Sequence, residues 1–393
     1  MQIKQKNLQI IIFILSAIIL AGCGAKTAVE NEVAIDTASP ATQEEVIKPA
    51  PTPFEEPETA IIGPVTFDAK DLESGLLLSD GRQCVSLREA ADALGGEIIE
   101  NEDSFIFSWY RGSLELSRDD YIPFKEGHDL LVDVESFCEA CDIGMLYDEE
   151  YSHLYCTAAA GDWEIPQGYT CPVMMYHSVA EKNSAGQSTL CVKPERLEEQ
   201  FKYLTENGYT PIWFEDIERI ADIEKPVILM FDDGWADNYT DLWPLVEKYK
   251  VKVSICPVPV YTDVSHHHLT SDMIYEMCKS EYIRFESHTY SHEYLDLKTV
   301  GEQYDELVDS RLWITRMTGR QPIVLCYPTG IETDYVMRLI NEDHIYRFGV
   351  KMLGMRSYNT SDNPAYVYRF YPERTTTIEE YSGWLELSFG ISG

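Results

Sequence analysis

Two adjacent carboxylates, Asp232 and Asp233, follow the apolar run Val227-Ile228-Leu229-Met230 and precede Gly234. Neighbouring side chains leaving a strand point in different directions, so the pair can divide its work, one carboxylate on a metal ion and the other beside it on a water. Taken alone, Asp-Asp-Gly is also a common turn. Two imidazoles, His288 and His292, stand four residues apart in His288-Thr289-Tyr290-Ser291-His292, after a second apolar run ending near Phe285. One helical turn would bring them to the same side, as metal ligation requires. Both pairs fall at the ends of expected strands in one stretch of chain. Together they point to a hydrolytic centre in which an ion polarises a carbonyl and activates a water at neutral pH.

The elements that must position these residues alternate regularly. Strands are expected at Val173 to Tyr176, Pro226 to Phe231, Val251 to Ile255, Tyr282 to Phe285 and Ile323 to Leu325. Pro194 opens a helix whose Leu197, Phe201 and Leu204 share one face before Asn207-Gly208 closes it. Strand and helix in repetition imply a parallel sheet, and the stretch 169–393 suits one α/β barrel domain. In such barrels chemistry collects where strands end and loops begin, which is where both motifs and His177 fall. Upstream, residues 64–160 form a separate small α+β unit. Its Leu87, Ala90, Ala91 and Leu94 follow a helical period stopped by Gly95, and a second short helix is expected near Val134 to Cys141. Strands are expected at Ser104 to Trp109, Ser113 to Leu116 and Leu154 to Cys156.

The N-terminus sets the expected compartment. Lys4 and Lys6, the apolar stretch Leu8 to Leu20 and then Leu20-Ala21-Gly22-Cys23 read as an export signal over residues 1–22 rather than a membrane span, which needs about 20 apolar residues. Residues 23–63 are rich in Ala, Glu, Thr and Pro, too polar to offset their ordering entropy, and read as a disordered tether. The chain holds 31 Lys and Arg against 67 Asp and Glu, a net charge of −36. Such a surface excludes nucleic acid as a partner and disfavours adsorption to anionic lipid. Ten cysteines less Cys23 leave nine, an odd number, so at least one thiol is expected unpaired within the chain. The Cys138/Cys141 pair reads as buried small hydrophobes before it reads as a redox pair or half a zinc site, since no second CxxC exists.

Several segments resemble known families. Leu20-Ala21-Gly22-Cys23 resembles the lipobox of bacterial lipoproteins, implying a lipid on Cys23 and an extracytoplasmic position on the outer face of the cell membrane. The Ser86-Leu87-Arg88-Glu89-Ala90-Ala91 stretch and its repeat resemble the copper amine oxidase N-terminal-like domain, a module without copper chemistry. Phe231-Asp232-Asp233-Gly234 and Ser287-His288-Thr289-Tyr290-Ser291-His292, with Met174-Met175-Tyr176-His177 upstream, resemble the polysaccharide deacetylases of carbohydrate esterase family four, the NodB-homology domain.

That resemblance implies a distorted (β/α) barrel over 169–393 and hydrolysis of N-acetyl groups on an N-acetylglucosamine-containing glycan or peptidoglycan. It also implies a divalent metal, zinc first, on Asp233, His288 and His292, with Asp232 as general base. The family's third motif stands here as Leu325-Cys326-Tyr327-Pro328-Thr329-Gly330, implying the Thr329 amide as oxyanion donor, with Cys326 where many members carry an arginine. Arg369 is the candidate partner for Asp232, against a plain surface ion pair. The late leucine–histidine motif is not visible, leaving His177 as the candidate proton donor, against a structural histidine.

Two other functions fit: a catalytically silent glycan-binding lipoprotein, and an esterase removing O-acetyl groups. The tract His266-His267-His268 reads as an exposed loop with incidental metal affinity. Trp235, Tyr239, Tyr290 and Tyr294 are candidate sugar-stacking rings, or core aromatics.

Overall fold

The computed structural model describes residues 65–390, apart from 73–75, 78–81, 102–103, 118–130, 187–189, 353 and 355. The expected export signal, Cys23 and the tether lie outside the described residues.

The first part of the chain repeats a strand–helix unit. Strand Gln83–Ser86 leads into helix Leu87–Ala93, and strand Leu131–Asp133 into helix Val134–Ala140. Each helix is capped by the last residue of its strand: Ser86 accepts from the Glu89 amide and Asp133 from the Ser136 amide. The two strands pair antiparallel, Cys84 opposite Asp133. Phe67, Phe107 and Phe137 meet in the core at ring separations of 5.5 and 6.2 Å. The unit's ends also pair, strand Val65–Phe67 running parallel to His153–Thr157, so the module closes on itself before the chain moves on.

The second part is a ring of parallel strands. We number β1 (Val173–Tyr176), β2 (Pro226–Asp233), β3 (Val253–Pro257), β4 (Ile283–Phe285), β5 (Val324–Cys326) and β6 (Phe348–Val350). Each pairs in parallel with the next, β4 reaching β5 through Ser287 opposite Leu325. The ring closes through the segment 367–370: Val367 bridges Val350, and Phe370 bridges Met174 of β1. This is the expected distorted (β/α) barrel, with three of its joins reduced to single bridges. β2 is buried along almost its whole length, which is why it reads as an unbroken apolar run ending in two acids. Helices Pro194–Glu206 and Val300–Thr318 lie outside the ring.

The module seats on the end of the barrel where strands begin. Arg316, in the last turn of helix Val300–Thr318, donates through Nε and Nη2 to the fully buried carboxylate of Asp148 at 2.5 and 2.7 Å. Gln321, just ahead of β5, donates its backbone amide to Thr157 and its side-chain amide to the carbonyls of Gly144 and Tyr155. From the module, Arg111 reaches Glu218 at 2.7 Å. Gly319 ends the helix at φ +73°, and a Cβ there would stand 2.8 Å from the Cα of Ala69. Glycine is needed both for the left-handed cap and for the close approach.

Candidate active site

At the opposite end, where parallel strands finish, β2 delivers Asp232 and Asp233, and the segment after β4 delivers His288 and His292. Asp233 leaves the strand at φ +69° and Gly234 continues at +66°, which turns the second carboxylate away from the first. Asp233 Oδ1 lies 3.4 Å from His288 Nε2 and 3.5 Å from His292 Nε2. Ligands about 2.1 Å from a tetrahedral ion stand about 3.4 Å apart, so Asp233 Oδ1 has ligand spacing to both nitrogens, and the ligand atoms of all three residues lie within 4.8 Å of one another. Donor chemistry agrees. The Nδ1–H of His288 donates to the Cys326 carbonyl at 2.8 Å, which leaves the Nε2 lone pair facing Asp233. Burial drives His292 down to about 4, and the neighbouring His288 adds to that, so its ring is neutral and ligand-competent at neutral pH.

The reason the two histidines meet differs from the one expected. Residues 288–292 are not helical. Thr289 and His292 both take left-handed backbone, φ +61° and +59°, and the rings meet edge to face at 4.6 Å. Glu306, one turn into the following long helix and itself buried, holds this loop. Its Oε2 accepts from the amides of Tyr290 and Ser291 at 2.9 and 2.8 Å, its other oxygen accepts from the Ser291 hydroxyl, and Lys298 lies 2.9 Å away. Sequence reading did not single out Glu306, and sixteen residues of separation give it no local signal.

Asp232 faces Arg369. The guanidinium donates to both carboxylate oxygens at 2.8 and 2.6 Å, and the two side chains are 1% and 2% exposed, which excludes the surface ion pair weighed above. Burial alone would raise the Asp232 pKa, but Arg369 overrides it and holds the carboxyl at about 2. Arg369 is fixed in turn by the Lys351 carbonyl at 2.8 Å. The arginine missing from the third motif is thus supplied by the closing segment of the ring, and Cys326 packs beside it, Sγ 3.9 Å from Nη1. Cys326 also touches Cys256 of β3, the two sulfurs 3.2 Å apart.

His177 follows β1 and is 6% exposed, with Nδ1 buried and without a hydrogen-bond partner among the described residues. Desolvation lowers its pKa, against the pull of Asp233 and Asp232. Its backbone is clamped by the turn after the aspartates: Asn238 donates to the His177 carbonyl at 3.0 Å, and Asp237 accepts from Ser178 Oγ and the Val179 amide. Thr329 stands exposed in the turn after β5 at φ +58°, closed by the Gly330 amide donating to Tyr327. It lies at the rim of this barrel end, while Asp232, Asp233, His288, His292 and Arg369 form one connected group.

Two of the other expectations change. His266 is exposed, but His268 is half-buried, stacked on Trp235 at 4.7 Å with Tyr261 on its other side at the same distance. Trp235 is buried and donates Nε1–H to Asp233 Oδ2 at 3.0 Å, so it is no platform for a sugar ring. Tyr239 packs on Trp243 and donates to Glu276. Tyr290 and Tyr294 remain exposed.

In the module, the CxxC cysteines are buried free thiols, as expected of small hydrophobes. Cys138 is raised by its hydrogen bond to Cys156 and by burial, and Cys141 by burial to about 12, so neither offers a thiolate.

Residues 220–348 match the polysaccharide deacetylase family model. YxkH of Bacillus subtilis (strain 168), which bears the provisional name of a polysaccharide deacetylase, is 31% identical over 185 residues, 46% of this chain and 63% of that protein. The poly-beta-1,6-N-acetyl-D-glucosamine N-deacetylase of Escherichia coli (strain K12) is 28% identical over 138 residues, 30% of this chain and 20% of the relative. The chain therefore spans less than two thirds of either relative's length. Among solved structures, the Streptococcus pyogenes deacetylase PplD, in complex with acetate, aligns at a TM-score of 0.52 and 23% identity over 56% of this chain and 100% of that one. A Bacillus cereus polysaccharide deacetylase aligns at 0.51 and 21% over 74% of this chain and 99% of that one, more than the barrel alone can supply. Family model and relatives support a polysaccharide deacetylase domain in the C-terminal region, and the solved structures share its distorted (β/α) barrel.

Proposed function

We propose that the barrel is a metal-dependent N-deacetylase of an N-acetylglucosamine-containing cell-surface polysaccharide or peptidoglycan, held at the outer face of the cell membrane by a lipid on Cys23. The observation that carries this reading is the adjacency of two differently dressed carboxylates at the end of β2, one facing two imidazoles and the other locked to a buried arginine. Asp233, His288 and His292 would hold a divalent ion, zinc first. Such an ion supplies Lewis acidity, polarising the acetyl carbonyl and lowering the pKa of a water toward about 7.

The chain's own groups account for the protons. Arg369 occupies one lone pair on each Asp232 oxygen, and a carboxylate has about four, so Asp232 keeps acceptor capacity for the proton of an attacking water. Arg369 also fixes the direction in which that capacity points. As the carbon–nitrogen bond breaks, the leaving amine needs a proton, and we assign that role to His177, whose buried Nδ1 at the same barrel end has no partner among the described residues. The Thr329 amide, on the turn beyond β5, is proposed as the oxyanion donor.

The silent-binder alternative drew on two missing residues. Arg369 and His177 supply groups of the required kind, which weighs against it.

Acetate release from N-acetylglucosamine oligomers and from peptidoglycan tests the reading, with zinc or cobalt added and Asp232→Asn in parallel. Release by the parent and a loss of about 100-fold or more in the variant, with metal still bound, is the expected result. Metal binding without acetate release from any N-acetylated glycan would sink it, and release from O-acetylated glycan alone would turn it into an esterase.

A further inference from the structure

We propose that Trp235 is a positioning residue for the metal-ligand carboxylate, holding Asp233 so that it presents a single oxygen to the ion; this rests on the metal-dependent reading above. The two oxygens of Asp233 face different partners. Oδ1 looks toward both imidazole Nε2 atoms at 3.4 and 3.5 Å, while Oδ2 accepts the Trp235 indole N–H at 3.0 Å. Asp233 and Gly234 both have left-handed backbone, so the carboxylate sits on the last rung of the ladder, opposite Pro257, where the chain turns away from the strand. The indole supplies the second anchor, and a hydrogen bond to an ionised acceptor is among the stronger kinds.

The indole is itself held. It stacks on His268, whose Nδ1 is 2.9 Å from Ser265 Oγ and whose other flank is Tyr261. The backbones are tied as well: the Ala236 amide donates to the His267 carbonyl at 2.9 Å, and the Leu269 amide to the Gly234 carbonyl at 2.8 Å. The histidine-rich loop thus sets the orientation of a ligand through one aromatic N–H. Partners of this outer kind typically contribute 10- to 100-fold in metal affinity.

The test uses cobalt(II) as the probe on the full chain, reading the dissociation constant by competition with a chelator and the visible d–d spectrum. Trp235→Phe keeps an aromatic ring but removes the donor, and benzothienylalanine placed at position 235 removes only the N–H. The expected result is a dissociation constant raised roughly 10- to 100-fold with an altered d–d band in both, while the benzothienylalanine protein, without metal, melts as the parent does. Parent-like affinity and spectrum in the benzothienylalanine protein would overturn the assignment to Trp235 alone. A parent that binds cobalt no better than Asp233→Ala would remove the metal-dependent reading and this inference with it.

Discussion

The two ends of the barrel are built from the same strands and follow opposite rules. Where strands begin, polar groups are matched: Arg316 with Asp148, and Gln321 with three module groups. Where strands end, Asp233, Thr289, His292 and Thr329 all carry left-handed backbone, and a buried nitrogen of His177 has no partner among the described residues. Left-handed backbone also occurs before β2 and β3, at Lys225 and Lys250, but at the strand ends it falls on the candidate ligands Asp233 and His292 themselves, where surrounding structure must over-determine it. The module packs on one end of the barrel, and the candidate ligands stand at the other.

Arg369→Leu strikes the one place where the functional end depends on a completed pair. It leaves Asp232 buried without its counter-charge, at a cost of about 3–5 kcal/mol in stability, with loss of acetate release alongside. Arg369→Lys would not restore the activity, because an ammonium cannot donate to both oxygens in the same fork. Urea unfolding and acetate release measured on the same samples check this, and a stable, inactive Leu variant would show that the pair serves catalysis only.

Asp148→Asn should show the reverse separation. We expect about 2–3 kcal/mol of lost stability with acetate release unchanged where the protein remains folded. The Arg316 hydrogen bonds hold Asp148 below its ordinary pKa. That contribution is therefore full above about pH 4, the unfolded carboxyl value, and disappears as pH falls through the lower folded value. The melting temperatures of parent and variant should draw together as pH falls from about 4 and converge once it passes below the lowered folded value, and a gap that persists there would place the effect elsewhere than in the charge.

The smallest expected effect is Gly319→Ala, about 1–2 kcal/mol, from a left-handed cap and a Cβ pressed against Ala69. It should loosen the module's seat, read as faster amide exchange in the strand Val65–Phe67, without altering metal affinity at the far end.

Much of this was legible in the sequence because it was local. The apolar run into Asp232-Asp233 marked β2 and its exit, and Pro194 with Asn207-Gly208 bounded a helix that the structure places at Pro194–Glu206. Arg369 was named as the partner of Asp232, and the geometry brings them together. What escaped was non-local. The His-x-x-x-His spacing suggested a helical turn because nothing within five residues reveals that Glu306 will accept two of the loop's amides. Trp235 stayed open between a sugar platform and a core aromatic because its neighbours in sequence do not include His268, which stacks on it. The terminal helix Ile378–Ser388 also went unnoticed: its buried Tyr381 and Leu385 make only one helical step, too short a period to stand out, and its capping box of Thr377 and Glu380 is visible only in hindsight.

The cysteines give the molecule its own record of opening. Cys138, Cys141 and Cys156 lie in the module's interior, Cys171, Cys256 and Cys326 in the barrel's, all buried free thiols, while Cys278 is partly exposed. An alkylating reagent meeting the folded chain finds Cys278 first among these seven. Each later adduct dates an excursion of one interior or the other, so the order of labelling distinguishes a chain that opens half by half from one that opens at once.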